Sequence, residues 1–262
     1  MRFCSLFSGS GGNCQHIGAG STNILIDAGL SGKKIQNEMG KVALFPEQIQ
    51  GILVTHEHID HVQGVGVLSR RFNIPVFASE KTWVAMERYI GKIKPENQKI
   101  LVVDKELVIG DLHVTPFNIS HDAVEPFGFN VTDGKRKISL LTDTGCINDT
   151  IKNKVTGFDL LLLESNHDEE LLKVGSYPWS LKRRILSDHG HLSNDMAAHF
   201  LLDVLKKGNE KVLLGHLSQE NNFPELAYKT VVNTLKSHKL TVDEDVFVQM
   251  TFRDKCTRIM EV

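Results

Sequence analysis

The run Thr55-His56-Glu57-His58-Ile59-Asp60-His61 places three imidazoles and two carboxylates within seven residues. A solvated loop has no need of so many donors, and protonated histidines packed so closely would repel one another. A metal relieves both problems. His56 and His58 alternate as on extended chain and can point into one pocket, while Asp60 and His61 sit where the chain turns and can face a second position beside it. The spacing therefore suggests two cations. Imidazole and carboxylate without thiolate suit zinc, iron or manganese better than calcium or magnesium, which prefer oxygen shells. The alternative, a polar loop whose histidines only cap helix ends, is disfavoured by the tight clustering.

Placing these groups falls to the flanking elements. Ile52, Leu53 and Val54 form an apolar run before the motif. His61, Val65, Leu68 and Phe72 recur at helical spacing after it, so the donors lie on a strand-to-helix loop and one helix should run from the site to just before Asn73 and Pro75. Residues 2–7 and 23–27 read as strands and 30–39 as a short helix. Between the first two strands, Ser8-Gly9-Ser10-Gly11-Gly12-Asn13 lacks the Lys-Ser/Thr of a phosphate-binding loop and is not followed by a helical pattern. It is either a plain hairpin loop or a lining of the site, and both readings stay open. Residues 75–78 read as a strand and 80–89 as a helix whose Trp83, Met86 and Tyr89 stripe belongs to the core. From 99 to 141 short strand runs at 100–103, 107–109, 112–117, 127–131 and 138–141 suggest an antiparallel meander. Strands at 158–163, 210–214, 247–250 and 258–260, with helices at 194–206 and 224–237, complete a pattern that fits a four-layer α/β/β/α sandwich.

Size and composition bound the class. The chain has 262 residues, 41% hydrophobic and 24% charged, enough to bury a substantial core, and no linker-like stretch or repeat divides it, so one domain over 1–262 is expected. No apolar run suits a membrane span and no charged start leads into an apolar signal region, which points to a cytoplasmic protein with no membrane partner. Cys4, Cys14, Cys146 and Cys256 are scattered without Cys-x-x-Cys spacing and read as free thiols. A formal charge of −2 advertises no nucleic-acid partner, so any basic face must be local.

Two cations need more donors than one loop supplies, and isolated candidates stand just past predicted strands. They are His121 in Ser120-His121-Asp122-Ala123, Asp143 in Leu141-Thr142-Asp143-Thr144-Gly145, and His216 in Leu214-Gly215-His216-Leu217-Ser218. With His56-Glu57-His58-Ile59-Asp60-His61, these segments resemble, in order and over nearly the whole chain, the motifs of the metallo-β-lactamase fold. The resemblance implies an α/β, four-layer αββα sandwich. It also implies His56, His58, His121 and Asp143 around a first metal, and Asp60, His61, Asp143 and His216 around a second, with Asp143 bridging. Asp27-Ala28-Gly29 is similar to the Asp-x-Gly that supports the metal loop from behind in this fold. His16, His113, His199 and His238 match no motif and read as structural.

Two further segments separate the chain from the lactamases and glyoxalases. Glu164-Ser165-Asn166-His167-Asp168 follows the strand after Asp143, where ribonuclease Z and its relatives carry an acidic residue. His191-Leu192-Ser193 resembles the His-Ser-Thr segment of those enzymes, so His191 is a candidate general acid or phosphate contact, against a helix-capping role. His167 could be an extra ligand, a phosphate contact or a support for a ligand. Between them, Gly175-Ser176-Tyr177-Pro178-Trp179-Ser180-Leu181-Lys182-Arg183-Arg184 sets two aromatics beside three cations. Cations pair with phosphates and rings stack on bases, so Tyr177, Trp179, Lys182, Arg183 and Arg184 are candidate substrate contacts; the alternative is a solvated turn with Trp179 in the core.

This arrangement most resembles the bacterial YycJ (WalJ) branch of the fold, which is related to ribonuclease Z-type phosphodiesterases. The resemblance implies a nuclease, a DNA exonuclease, that uses two divalent metal ions (zinc, manganese or iron), a metal-bridging hydroxide and no organic cofactor. Asp60, His191 and His167 are the candidates for a part in the chemistry itself. The interval from Asp143 to His216 is too short for an inserted β-CASP domain. The rival readings are a glyoxalase- or lactonase-like hydrolase of a small ester or thioester, and a non-catalytic metal-binding regulatory protein.

Overall fold

Side chains alternate along the strands, and in many of them both phases are apolar. In the strand Thr22–Ile26, Ile24 and Ile26 join one buried cluster while Leu25 joins another. In Leu160–Glu164, Leu160 and Leu162 face the first of these clusters, while Leu161 and Leu163 face a third. A strand with two apolar faces must be covered on both sides, and two such sheets stacked together require helices outside each. Each fully buried leucine or isoleucine contributes about 1.5–3 kcal/mol to this arrangement.

The structure is a computed structural model in which residues 1–206 and 208–262 are described. The first sheet is built from β1 (Arg2–Phe7), β2 (Cys14–Ala19), β3 (Thr22–Ile26), β4 (Gly51–Leu53), β5 (Val76–Ala78) and β6 (Gln98–Ile100). Helices α1 (Gly32–Lys41), α2 (Ile59–Val62), α3 (Val65–Phe72) and α4 (Glu80–Ile90) fall between these strands. The second sheet holds β7 (Leu107–Ile109), β8 (Leu112–Asn118), β9 (Phe127–Thr132), β10 (Lys137–Leu141), β11 (Leu160–Glu164), β12 (Glu210–Gly215) and β13 (Val246–Met250). Among them run α5 (Asp149–Val155), α6 (Glu169–Val174), α7 (Trp179–Ile185), α8 (Asn194–Val204) and α9 (Pro224–Ser237), and β14 (Met260–Glu261) closes the chain beside β1 in the first sheet. The orders are β14-β1-β2-β3-β4-β5-β6 and β13-β12-β11-β10-β9-β8-β7. Phe3, Ile17, Phe127 and Phe129 lie between the sheets; α1, α3 and α4 cover the first sheet, and α5, α8 and α9 the second.

The layer order and the meander β7–β10 agree with the sequence-based expectation; β2, α5, α6 and α7 are not among the expected elements, and three details of the expected ones differ. The helix expected to run unbroken from His61 is split into α2 and α3. Gly64 lies at the break, where its N–H donates to Ala28 O at 2.7 Å and a Cβ would stand 2.3 Å from Leu30 O, so the chain passes too close to the end of β3 for a continuous helix. The strand expected at 100–103 ends at Ile100 and pairs in parallel with β5, outside the meander. Its register follows β5, and Val102 and Val103 are exposed beyond it. Of the stripe on α4, Met86 is buried but Tyr89 is exposed, with Arg88 stacked on its ring.

The parallel pairs β3–β4 and β10–β11–β12 align their C-terminal ends, and β8, antiparallel to β9 as β9 is to β10, ends on the same side. Asp27, the 55–61 loop, His121, Asp143, Glu164 and His216 all stand at or just past these ends.

Candidate metal centre and its rim

Ligand atoms converge in overlapping sets. His56, His58 and His121 form one, His56, His61 and Asp143 a second, and Asp60, His61 and His216 a third; within each, one ligand atom per residue lies within 4.8 Å of the others. A fourth set joins Asp143 to Glu164, His191 and His216. His61 Nε2 is 3.5 Å from both Asp60 Oδ2 and Asp143 Oδ2, and His216 Nε2 is 3.3 Å from Asp143 Oδ1. Ligands bonded to one cation at about 2.0–2.2 Å stand about 3–3.5 Å apart, so these separations suit donors that share an ion. His56 Nε2, His121 Nε2, His216 Nε2 and Asp143 Oδ2 are buried without a hydrogen-bond partner. Buried polar atoms are ordinarily paired, and four orphans facing one another fit a metal centre. The donor set lacks thiolate, as zinc, iron and manganese sites allow.

The imidazoles of His56, His61, His121, His191 and His216 are turned by the other nitrogen. His61 Nδ1 lies 2.7 Å from Asp27 Oδ2 and 3.1 Å from Thr55 Oγ1, while Asp27 accepts the N–H and the hydroxyl of Thr55 at 2.8 Å each. Asp27 thus supports the metal loop from behind, as the resemblance implies. His121 Nδ1 donates to Gly190 O at 3.2 Å. Glu164 Oε1 accepts the Nδ1–H of both His191 and His216 at 2.8 Å, and its Oε2 accepts the N–H groups of Thr144 at 3.0 Å and Leu192 at 3.2 Å. Such partners fix the tautomer and leave Nε2 of His121, His191 and His216 to face the centre.

Backbone conformation contributes as well. Asp27, Asp143 and His216 adopt φ values of 61°, 58° and 55°, the left-handed region, at the ends of β3, β10 and β12. For a residue with a Cβ this costs about 1–3 kcal/mol and persists where surrounding contacts determine it. At His216 one such contact is its N–H, which donates to Ser8 Oγ at 2.9 Å. The glycine-rich loop therefore lines the site: Asn13 Nδ2 also lies 3.0 Å from His61 Nε2, and Asn13 N–H donates to Asp60 O at 2.8 Å.

Burial opposes charge on all of these groups, and neighbours decide the outcome. Burial, then the adjacent His61, holds His56 well below its ordinary value. Burial pulls His61 down, but Asp143, Asp27 and Asp60 outweigh it and hold His61 at about 10. His216 is similarly raised to about 9, with Asp143 and Glu164 overcoming burial. Burial raises the Glu164 carboxyl, yet His191 and His216 bring it down to about 2. The neighbouring carboxylates thus favour the protonated forms of His61 and His216 in the metal-free protein.

Of the residues singled out in the sequence, His56, His58, Asp60, His61, His121, Asp143, His191 and His216 are brought together. Ser193 Oγ accepts the Met196 N–H at 3.2 Å and caps α8, so the capping role falls to Ser193 and leaves His191, 5.1 Å from the ring of His121, at the centre. His167 joins no donor set among the described residues: it is buried, both ring nitrogens lack a partner, and burial pushes it down to about 4. Lys182 does not reach the site. It is buried, and its Nζ donates to Lys173 O at 2.8 Å and Gly175 O at 2.7 Å, closing the end of α6. Trp179 is 61% exposed, which excludes it from the core, and Arg183 is exposed. Tyr177 and Arg184 line a small pocket with His191, and Arg184 Nε donates to Asp122, beside His121. Sequence reasoning missed Asn13 and the double role of Glu164; a lone acid closing the run Leu160–Leu163 was the signal for the latter.

Residues 22–217 match the family described as the β-lactamase superfamily domain. Over 264 aligned residues the chain is 43% identical to the exodeoxyribonuclease WalJ of Streptococcus pneumoniae serotype 2 (strain D39), covering 100% of this chain and 98% of that one. It is 42% identical to the exodeoxyribonuclease YycJ of Bacillus anthracis, covering 100% and 99%. Among solved structures, the metallo-β-lactamase-fold protein YhfI of Bacillus subtilis superposes with a TM-score of 0.73 at 16% identity, covering 98% of this chain and 99% of that one, a likeness of fold alone. With the sandwich, the donor sets and these relatives in agreement, the chain belongs to the β-lactamase superfamily, in the family of the YycJ and WalJ proteins.

Proposed function

We propose that the protein is a metal-dependent phosphodiesterase that removes nucleotides from an end of DNA, in the cytoplasm, with two divalent cations of zinc, manganese or iron. The observation that carries the reading is the set of four buried, unpartnered ligand atoms on His56, His121, Asp143 and His216, joined through Asp143. His56, His58, His121 and Asp143 would hold one cation, and Asp60, His61, Asp143 and His216 the other. When bound, the cations would supply a nucleophilic hydroxide at neutral pH and neutralise the non-bridging oxygens of the phosphate. The names of the relatives at 43% and 42% identity support an exodeoxyribonuclease over a thioesterase or lactonase.

The chain's own residues supply orientation and a proton. Glu164 holds His191 by Nδ1, which leaves Nε2 to donate to the leaving oxygen and then to regain a proton from water. Because Glu164 also holds His216, the proton donor and a ligand are set by one carboxylate. Tyr177 and Arg184 stand beside His191 and would contact the strand, while Trp179 and Arg183 are accessible further out. The test is digestion of end-labelled single- and double-stranded DNA and RNA with zinc, manganese or iron added to the chelator-treated protein. Stepwise loss of nucleotides from DNA ends is expected. Absence of metal-dependent cleavage of any strand, with thioesters turned over instead, would sink the reading.

A further inference from the structure

The cavities of the described residues differ in the charge of their walls. The groove beside β13 and β14 includes Asp243, Glu244 and Glu261, and the cavities along α4, beside Arg136 and beside α1 each include at least one carboxylate. The pocket next to His191, about 150 Å³, has none among its described lining residues. Its polar walls are Ser10, Asn166, Tyr177, Arg184, His191 and Ser218.

Several of these walls carry donors that no described protein atom accepts from. Ser218 Oγ accepts the N–H and the Nδ2–H of Asn221, at 3.2 and 3.4 Å, so its own proton is unspent. Arg184 gives Nε to Asp122, and no hydrogen bond engages its two Nη groups among the described residues. The Tyr177 and Ser10 hydroxyls make none there either. Arg184 is paired with Asp122 through Nε, but its Nη edge is open beside three hydroxyls and no lining carboxylate; such a wall suits an anion, and a guanidinium already held on one edge loses little entropy in binding one. Its volume is about that of a cavity that admits one benzene, which suits a phosphate group.

We propose that this pocket binds the terminal phosphomonoester of the substrate strand, so that a phosphorylated end is seated beside His191. The proposal rests on the nucleic-acid reading above and adds to it the group by which an end would be told from the middle of a strand. Ser10 brings the glycine-rich loop into this recognition, and Ser218 brings the turn after His216.

The metal-loaded wild type and the variants Tyr177→Phe, Arg184→Gln and Ser218→Ala are each given one oligonucleotide bearing a 5′-phosphate, a 3′-phosphate or hydroxyls at both ends. The wild type is expected to prefer one phosphorylated end by about 10- to 100-fold in kcat/KM, mostly through KM, the size of a charge-assisted contact. The substitutions should bring the ratio toward one. Since the hydroxyl-ended strand is the reference within each protein, a general loss of fold or metal lowers both rates and leaves the ratio. Equal rates on all three ends, as an internal phosphodiester in the pocket would give, overturn the proposal, as does a preference that all three variants keep. If no nucleic acid is cleaved, the proposed function fails separately. Binding of the phosphate-ended against the hydroxyl-ended strand to the metal-loaded proteins then decides, with a preference for the phosphate at least about tenfold larger in the wild type than in Arg184→Gln expected and equal preferences fatal.

Discussion

The floor and the rim of the site hold their polar groups by different means. On the floor, buried carboxylates orient imidazoles, Asp27 for His61 and Glu164 for both His191 and His216. On the rim, the cations of α7 are tied loosely or elsewhere: Lys182 to two main-chain carbonyls, Arg184 to the partly exposed Asp122, and Arg183 out toward solvent. A buried imidazole has few ways to satisfy its nitrogens, so its role follows from where the strands end. A long, flexible cation can satisfy its charge on carbonyls as readily as on phosphates, so its role depends on packing. The floor should therefore break with loss of metal or turnover, and the rim with changes in how the strand is held.

Asp143→Ala should break it most, removing bound metal and turnover together, as metal analysis and a phosphodiester assay would read. His191→Ala should keep its metal and lose about 10²- to 10⁴-fold in turnover, the range for a lost acid or base; loss of metal instead would move His191 from proton donor to ligand. Glu164→Gln should cost about 10- to 100-fold in metal affinity or activity, as is usual for a group that orients ligands. A smaller effect would mean that the floor is no stiffer than the rim.

Protonation sharpens the same contrast. His61 at about 10 and His216 at about 9 are raised above the ordinary imidazole value, so their protonated forms stabilise the metal-free protein fully below about 6.5. That contribution is lost as pH rises through about 9 to 10. Melting curves should show the metal-free protein weakening between pH 7 and 10 while the loaded protein does not, and metal uptake at pH 7.5 should release protons to the buffer. On the rim, Arg183→Ala should lower the slope of log K against log salt by about one contact in a DNA-binding titration. Lys182→Met should leave that slope unaltered, the smallest effect of the series.

How much was legible in the sequence follows this division. Most strands of the two sheets, the outer helices other than α5, and the donors at strand ends were readable because apolar periodicity and clustered histidines leave few options; β2 and α5 were not. The break at Gly64 was not, because a near contact between Gly64 and the end of β3 is a tertiary fact that helical spacing does not record. Lys182 was misplaced because its run of cations reads the same whether it faces a phosphate or closes α6. His167 was a candidate for the chemistry as a ligand, a phosphate contact or a support, and its isolation from the donor sets among the described residues could come only from packing.

The left-handed backbone at Asp27, Asp143 and His216 sets a limit on engineering. Glycine reaches that conformation without a Cβ clash, so at these three positions relief of backbone strain pulls against the hydrogen bonds and charge pairs the side chains make, and a selection for heat resistance alone would keep a glycine wherever the relief is larger. Each such gain would remove a carboxylate or an imidazole from the centre. Variants hardened without a screen for turnover would tend toward well-folded, inert sandwiches, and the safer route to a tougher protein lies in the helices and loops remote from these strand ends.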